Sequence, residues 1–352
     1  MSRCHRGFER SNFQSIEKGY DLLLEKPVAQ TAKECNDIRN AANAKGVKVL
    51  VCHVLRYTPF YGRLKQLLMD GTIGEVLSID QVEGVGHLHY AHSYVRGNWH
   101  VEEDSTPMLL AKCCHDLDII QWLMDKKCSR VQSFGNLTHF TAENAPEGAP
   151  QSCVDGDCPH RETCPYDCLR HYYENKKNER RAIISTGISK EFEPTDEEVL
   201  EALRKTNYGT CAYRSNNNVV DHQIVSMEFE NGAVATLNMN AFNRGGRYTR
   251  IYGTKGEIYA HMRDQQIKVF TFDGRGEWMV NVREVDETIN GGHGGGDQGI
   301  IGEMYDYFVD QYTGFRAADI NISVDNHLIG FAAEKARNEG TVVDVQKFMT
   351  EV

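Results

Sequence analysis

No apolar run in the sequence approaches the roughly eighteen residues that a membrane-crossing helix needs, which excludes a helical span. The first ten residues, Met-Ser-Arg-Cys-His-Arg-Gly-Phe-Glu-Arg, carry charge but no apolar stretch of the secretory type, so no export signal is expected there. A basic excess is also missing. The formal net charge of −11 argues against broad binding to nucleic acid or an anionic membrane surface, which needs phosphate-neutralising patches, though a local basic groove stays compatible with it. Internal repeats are absent. The eleven cysteines form no even framework, and most sit singly within apolar or helical patterns. That usage points to a reducing compartment, and a cytoplasmic protein is expected.

At 352 residues the chain exceeds what one core usually holds, so two domains are expected. Phe13, Ile16 and Tyr20 recur at helical spacing. Residues 21–27 form a short apolar run ending in charge, which suits a buried parallel strand. Thr31 can cap a helix, with Glu34 three positions on, that ends at Lys45-Gly46. Residues 47–53 read as a second buried strand and 61–69 as a helix stopped by Asp70-Gly71. This alternation implies a parallel sheet of βαβ units, yet only two of its strands are legible. From Gly74 the texture changes. Residues 76–83 alternate, 108–124 read as one long helix, and 220–230, 233–241, 249–252 and 267–272 read as strands. Residues 300–312 and 324–338 are helical in pattern. The expected fold class is α/β: a short parallel sheet, then a larger α+β part with an open, mainly antiparallel sheet. A polar, cysteine- and proline-bearing insertion is expected at about 143–213.

Lys26, in Glu25-Lys26-Pro27, would stand at the carboxyl end of a parallel strand, where open α/β sheets bind ligands. The proline after it fixes the backbone and aims the lysine; the plainer alternative is a surface lysine closing a strand. On the 108–124 helix, Lys112, His115 and Asp118 lie three apart and share one face. Histidine is the natural general acid/base near neutral pH, with an adjacent carboxylate to fix its tautomer; the alternative is a capping or salt-bridging histidine.

Taken in order, Glu25-Lys26-Pro27, Arg56-Tyr57-Thr58-Pro59, Asp70-Gly71-Thr72-Ile73-Gly74-Glu75, His115-Asp116-Leu117-Asp118, Gly253-Thr254-Lys255-Gly256-Glu257 and Ala332-Ala333-Glu334-Lys335-Ala336-Arg337 resemble the Gfo/Idh/MocA family. The resemblance runs from about Ile16 to the end. It implies a Rossmann domain, of which residues 1–73 would be a remnant, followed by a substrate and oligomerisation domain over 74–352. It implies an NAD(P)-dependent oxidoreductase, with NAD or NADP held near Glu25, Lys26, Pro27 and Arg56 and a carbohydrate-like substrate. Lys26 would sit beside the nicotinamide and His115 would exchange the proton. Many relatives carry an aspartate four residues before the histidine. Ala111 stands there in this chain, and the relay is expected to be Lys26, Lys112 and His115. A homo-oligomer is expected through the second domain.

Two segments suit a polyhydroxylated ligand. The loop from Asn290 to Asp297 sets His293 and Asp297 among glycines, and Arg96-Gly-Asn-Trp99 offers a cation and an aromatic face; a capping loop and a packing tryptophan are the alternatives. Gly294-Gly-Gly296-Asp-Gln-Gly299 satisfies the dinucleotide pattern G-x-G-x-x-G but lacks the preceding buried strand, so it is not expected to bind pyrophosphate. Only 24 residues precede Glu25, too few for the βα units the family places there. Weak cofactor binding is therefore expected. The alternative function is a non-catalytic sugar-binding or assembly module descended from such an enzyme. Finally, Cys153, Cys158, Cys164 and Cys168 suit a structural zinc, with His160 and His171 as alternative ligands and free thiols or an iron–sulfur centre as alternative states.

Overall fold

A computed structural model describes residues 11–178, 180–185, 193–285 and 292–352. Two sheets organise the chain. The smaller pairs β1 (Leu22–Leu24) with β2 (Val49–Val51) in parallel. Between them runs α1 (Ala32–Lys45). The Thr31 hydroxyl accepts from the Glu34 N–H while the Glu34 carboxylate accepts from the Thr31 N–H, and Gly46 ends the helix in the left-handed conformation. Cys35, Ile38 and Ala42 form its buried stripe. After β2 the tight turn Val54–Tyr57 leads into α2 (Pro59–Met69), capped by Thr58 and opened by a proline whose missing N–H costs nothing in the first turn.

The larger sheet contains β3 (Val76–Gly84), β4 (Cys128–Asn136), β5 (His222–Phe229), β6 (Val234–Asn240), β7 (Gly246–Gly253), β8 (Gly256–His261), β9 (Gln266–Thr271), β10 (Gly276–Asn281) and β11 (Val343–Asp344). Their order is β10-β9-β8-β7-β3-β6-β5-β4-β11, antiparallel throughout except for β3 against β6. One face is covered by helices. The other leaves Phe134, Ile224, Phe270 and Phe272 exposed. The remaining helices used below are α3 (His87–Tyr90), α4 (Met108–Ala111), α5 (Cys114–Met124), α6 (Asp196–Lys205), α7 (Gly296–Phe308) and α8 (Ile320–Glu339). α8 packs on α1, α5 and β4, and so joins the parallel part to the large sheet. One apolar cluster runs from Ile16 to Phe348, continuous across residue 73. Among the described residues no helix is long and apolar enough to cross a membrane.

The structure departs from the sequence pattern in four places. The expected helix 108–124 breaks after Ala111, and Lys112 and Cys113 separate α4 from α5. β4, β8 and β10 escape a reading of alternation; in β4 a bulge between Cys128 and Arg130 interrupts the period. α7 begins at Gly296 and stops at Phe308, with Asp310 beyond it at φ 58°. The insertion is better anchored than its polarity suggests. Cys168, Tyr172, Ile184, Val199, Ala202 and Leu203 form a separate apolar cluster around α6, although residues 179 and 186–192 lie outside the described ones.

Candidate functional site

The end of β1 is held from two sides. The Cys52 N–H donates to the Leu24 carbonyl at 2.8 Å, and the Val28 N–H donates to His327 Nε2 on α8 at 3.1 Å. His327 Nδ1 lies 2.7 Å from the Ser323 carbonyl, so Nδ1 carries the hydrogen and Nε2 accepts. The Lys26–Pro27 bond between these anchors is cis. Lys26 Nζ donates to the Ala111 carbonyl at 3.1 Å, at the break between α4 and α5.

His115 follows in the first turn of α5, 5% exposed. Burial, helped by the positive charge of Lys26, holds its imidazole well below 6.5, so it is neutral at neutral pH. Its Nδ1 is buried without a partner. The His293 ring centre lies 6.2 Å from that of His115, and Asp297 accepts from or orients His293 Nδ1 at 2.8 Å. The glycine loop therefore does reach His115; Asn290 and Gly291 lie outside the described residues.

Three further groups at this place carried no signal in the sequence. His53, at the end of an apolar run, sits edge-on to His115 at 6.1 Å, fully buried, with neither ring nitrogen hydrogen-bonded and Asp118 Oδ2 3.7 Å from Nδ1; burial lowers it to about 4. His89 follows β3 and meets Arg180 Nη2 at 3.3 Å; burial, then the charges of Lys112 and Arg180, lower it to about 3. Glu83, 2% exposed at the end of β3, faces Lys112 Nζ at 3.5 Å and Arg247 Nε at 2.8 Å. Arg247 also pairs with Asp116 at 2.9 Å, and Asp116 accepts from Gln81 at 2.8 Å. Burial raises the Glu83 carboxyl against the pull of these cations.

Other expected site residues are withdrawn into the framework. Asp118 accepts from Arg56 Nε and Nη2 at 2.7 and 2.6 Å and from Asn326 at 2.6 Å, all three side chains being buried. The cofactor contact expected of Arg56 and any ligand contact by Asp118 would have to break this paired carboxylate and guanidinium. Arg96 is likewise buried, donating to the Thr210 and Tyr166 carbonyls at 2.8 and 2.9 Å, which fastens the insertion. Trp99 packs against the main apolar core.

The zinc expectation finds no support in the geometry. Among the described residues no group of three or more histidine, cysteine, aspartate or glutamate side chains is arranged to hold a metal ion. Cys168 turns into the apolar cluster of the insertion, with its N–H 3.4 Å from Cys153 Sγ. Cys153, Cys158 and Cys164 line a partly open cleft together with Cys211, a thiol the spacing did not single out. The hydrogen bond from Cys168 lowers the Cys153 thiol to about 7. No disulfide joins any two of the ten described cysteines.

The glycine pattern before α7 serves packing. A Cβ at Gly296 would stand 2.3 Å from the Val54 carbonyl oxygen, and one at Gly299 would stand 2.7 Å from that of Tyr57. The surface a pyrophosphate would need is occupied by the chain itself. Among the described residues no other glycine-rich turn joins a parallel strand to a helix N-terminus.

Residues 65–343 match the model of the oxidoreductase family's C-terminal alpha/beta domain, GFO_IDH_MocA_C. The chain is 24% identical over 304 residues to YteT of Bacillus subtilis (strain 168), covering 83% of this chain and 68% of that protein. It is 28% identical over 138 residues to an inositol 2-dehydrogenase/D-chiro-inositol 3-dehydrogenase of Lactiplantibacillus plantarum, covering 39% of this chain but only 36% of the relative. Its fold resembles levoglucosan dehydrogenase in complex with NADH and levoglucosan, at TM-score 0.66 and 16% identity over 97% of this chain and 78% of that one. The chain thus spans about a third of the inositol dehydrogenase and about two thirds of YteT. The ordered motifs, the nine-stranded sheet and the family match agree: this chain belongs to the Gfo/Idh/MocA family of oxidoreductases.

Proposed function

We propose that the chain acts in hydride transfer between a nicotinamide dinucleotide, NAD or NADP, and a sugar, polyol or related hydroxy compound. The observation that carries this reading is the meeting of Lys26 and His115: the Lys26 ammonium is anchored four residues before a buried, neutral imidazole with an unpartnered nitrogen. Oxidation of a carbinol removes a hydride from carbon and a proton from oxygen. The nicotinamide supplies the hydride acceptor. Lys26 donates to the substrate oxygen and stabilises the charge that grows there, and His115 accepts the proton. His293, oriented by Asp297, stands on the open side of His115, where a substrate hydroxyl would lie. The described residues thus fit the reacting end of the cofactor and offer no cradle for its pyrophosphate.

The names of the relatives support a carbohydrate-like substrate. A homo-oligomer belongs to the same proposal, supported by the exposed aromatic residues on the open face of the large sheet, among them Phe134 at 67% and Phe272 at 63%. The lack of a disulfide between described cysteines supports a reducing, cytoplasmic setting. Reduction of NAD and NADP in the presence of inositols, aldoses and anhydrosugars tests the activity. Turnover that falls with Lys26→Met and His115→Asn supports it; dinucleotide-independent sugar binding without turnover supports the assembly or sugar-binding module instead.

A further inference from the structure

The candidate site has more cations than carboxylates, in a protein whose net charge is −11. Lys26 has a backbone carbonyl as partner, and Arg180 has the imidazole of His89; among the described residues neither makes an ion pair. Lys112 and Arg247 share Glu83, and Arg247 also takes Asp116. On this side of the site four cations therefore face two carboxylates, Asp297 being engaged with His293 on the other. The histidines add no positive charge of their own, because burial keeps His53, His89 and His115 neutral. Ala111 accounts for part of it: the position where the family resemblance places an aspartate holds a methyl group, and the amine of Lys26 turns to that residue's carbonyl instead.

We propose that the substrate is a sugar acid, a hydroxy compound whose carboxylate is received by Arg180 and Lys112 while its reacting hydroxyl lies between Lys26 and His115. This deepens the functional reading above and rests on it. Arg180 offers a planar fork suited to a carboxylate, and His89 behind it, an acceptor, holds the guanidinium without cancelling its charge. Lys112 can lend its charge because Glu83 is already shared with Arg247. A neutral polyol would leave the excess charge uncompensated in a partly buried site, where an anion gains more than it would in water.

Calorimetric titration of the full chain with D-glucuronate against D-glucose, and with D-gluconate against D-glucitol, tests this. At least tenfold tighter binding of the acid in each pair is expected, eroded by added salt. Arg180→Gln should remove most of the preference, and Lys112→Gln should reduce it; Arg180 is the safer variant because Lys112 is tied to buried Glu83. Equal or tighter binding of the neutral partners, no saturable binding of either acid, or a preference that survives both substitutions would overturn the inference. Dinucleotide titration run in parallel separates the two readings. Dinucleotide binding with turnover of neutral polyols and no preference for acids sinks only the substrate class. Acid binding without any dinucleotide binding sinks the hydride-transfer reading.

Discussion

The Nζ of Lys26 donates a hydrogen bond to the carbonyl oxygen of Ala111 at 3.1 Å, across 85 residues of sequence. This contact fixes the strand end that carries the lysine to the helix break that precedes His115. Lys26→Met should lower kcat by about 10²–10⁴-fold, the range of a lost proton-handling group, with little change in thermal stability, since the lysine is only partly buried. Rates with and without the substitution, measured beside melting curves, check it; a drop in melting temperature that accounts for the lost rate would count against a chemical role.

Asp118 gives the opposite expectation. It is held by Arg56 and Asn326 in a buried pair, so Asp118→Ala strands the Arg56 guanidinium and should cost about 3–5 kcal/mol of stability. Denaturant unfolding measures the loss. A variant of normal stability with a raised KM would place Asp118 at the substrate site instead.

Gly296 separates packing from phosphate binding. Because an added Cβ meets the Val54 backbone oxygen at 2.3 Å, Gly296→Ala should destabilise the protein by roughly 1–3 kcal/mol as overpacking. Dinucleotide affinity should follow only the fraction folded. Unchanged stability with weakened dinucleotide binding would contradict the packing role.

Acid should destabilise the fold through its buried imidazoles. Burial puts His53 at about 4 in the folded chain, against 6.5 for an exposed histidine. Above pH 6.5 neither state is protonated and nothing is lost. As pH falls from 6.5 towards 4, the unfolded chain takes up a proton that the folded chain refuses, and stability drops. His53 contributes on the order of 3 kcal/mol to that drop, and His89, His115 and His327 act in the same direction. Urea midpoints measured across this range should fall with acid, and His53→Gln should flatten the profile. A midpoint that rises with acid would refute the assignment.

What the sequence revealed, and what it hid, has physical causes. The capping box at Thr31, the strand ending in Lys26 and the alternating strands of the large sheet follow local rules that a single chain displays. The resemblance also found two glycine turns without showing that they meet: the Lys255 N–H donates to the Ile73 carbonyl at 2.8 Å, and a Cβ at Gly253 would stand 2.2 Å from the same oxygen. They are a packing joint. The commitments of Arg56, Asp118 and Arg96 depend on partners 62 or more residues away, which spacing along one helix cannot show. His89 and Arg180 sit in stretches with no pattern of their own, His53 closes a strand that gives no hint of a site, and only the fold brings them beside Lys26 and His115.

Titration of the purified chain with NADH and NADPH, followed by nicotinamide fluorescence, tests the central claim most directly. The account predicts a saturable change with one of the two dinucleotides, at micromolar to millimolar concentration, that is altered by Lys26→Met. No saturable change with either dinucleotide up to millimolar concentration, from a chain shown to be folded, would contradict it.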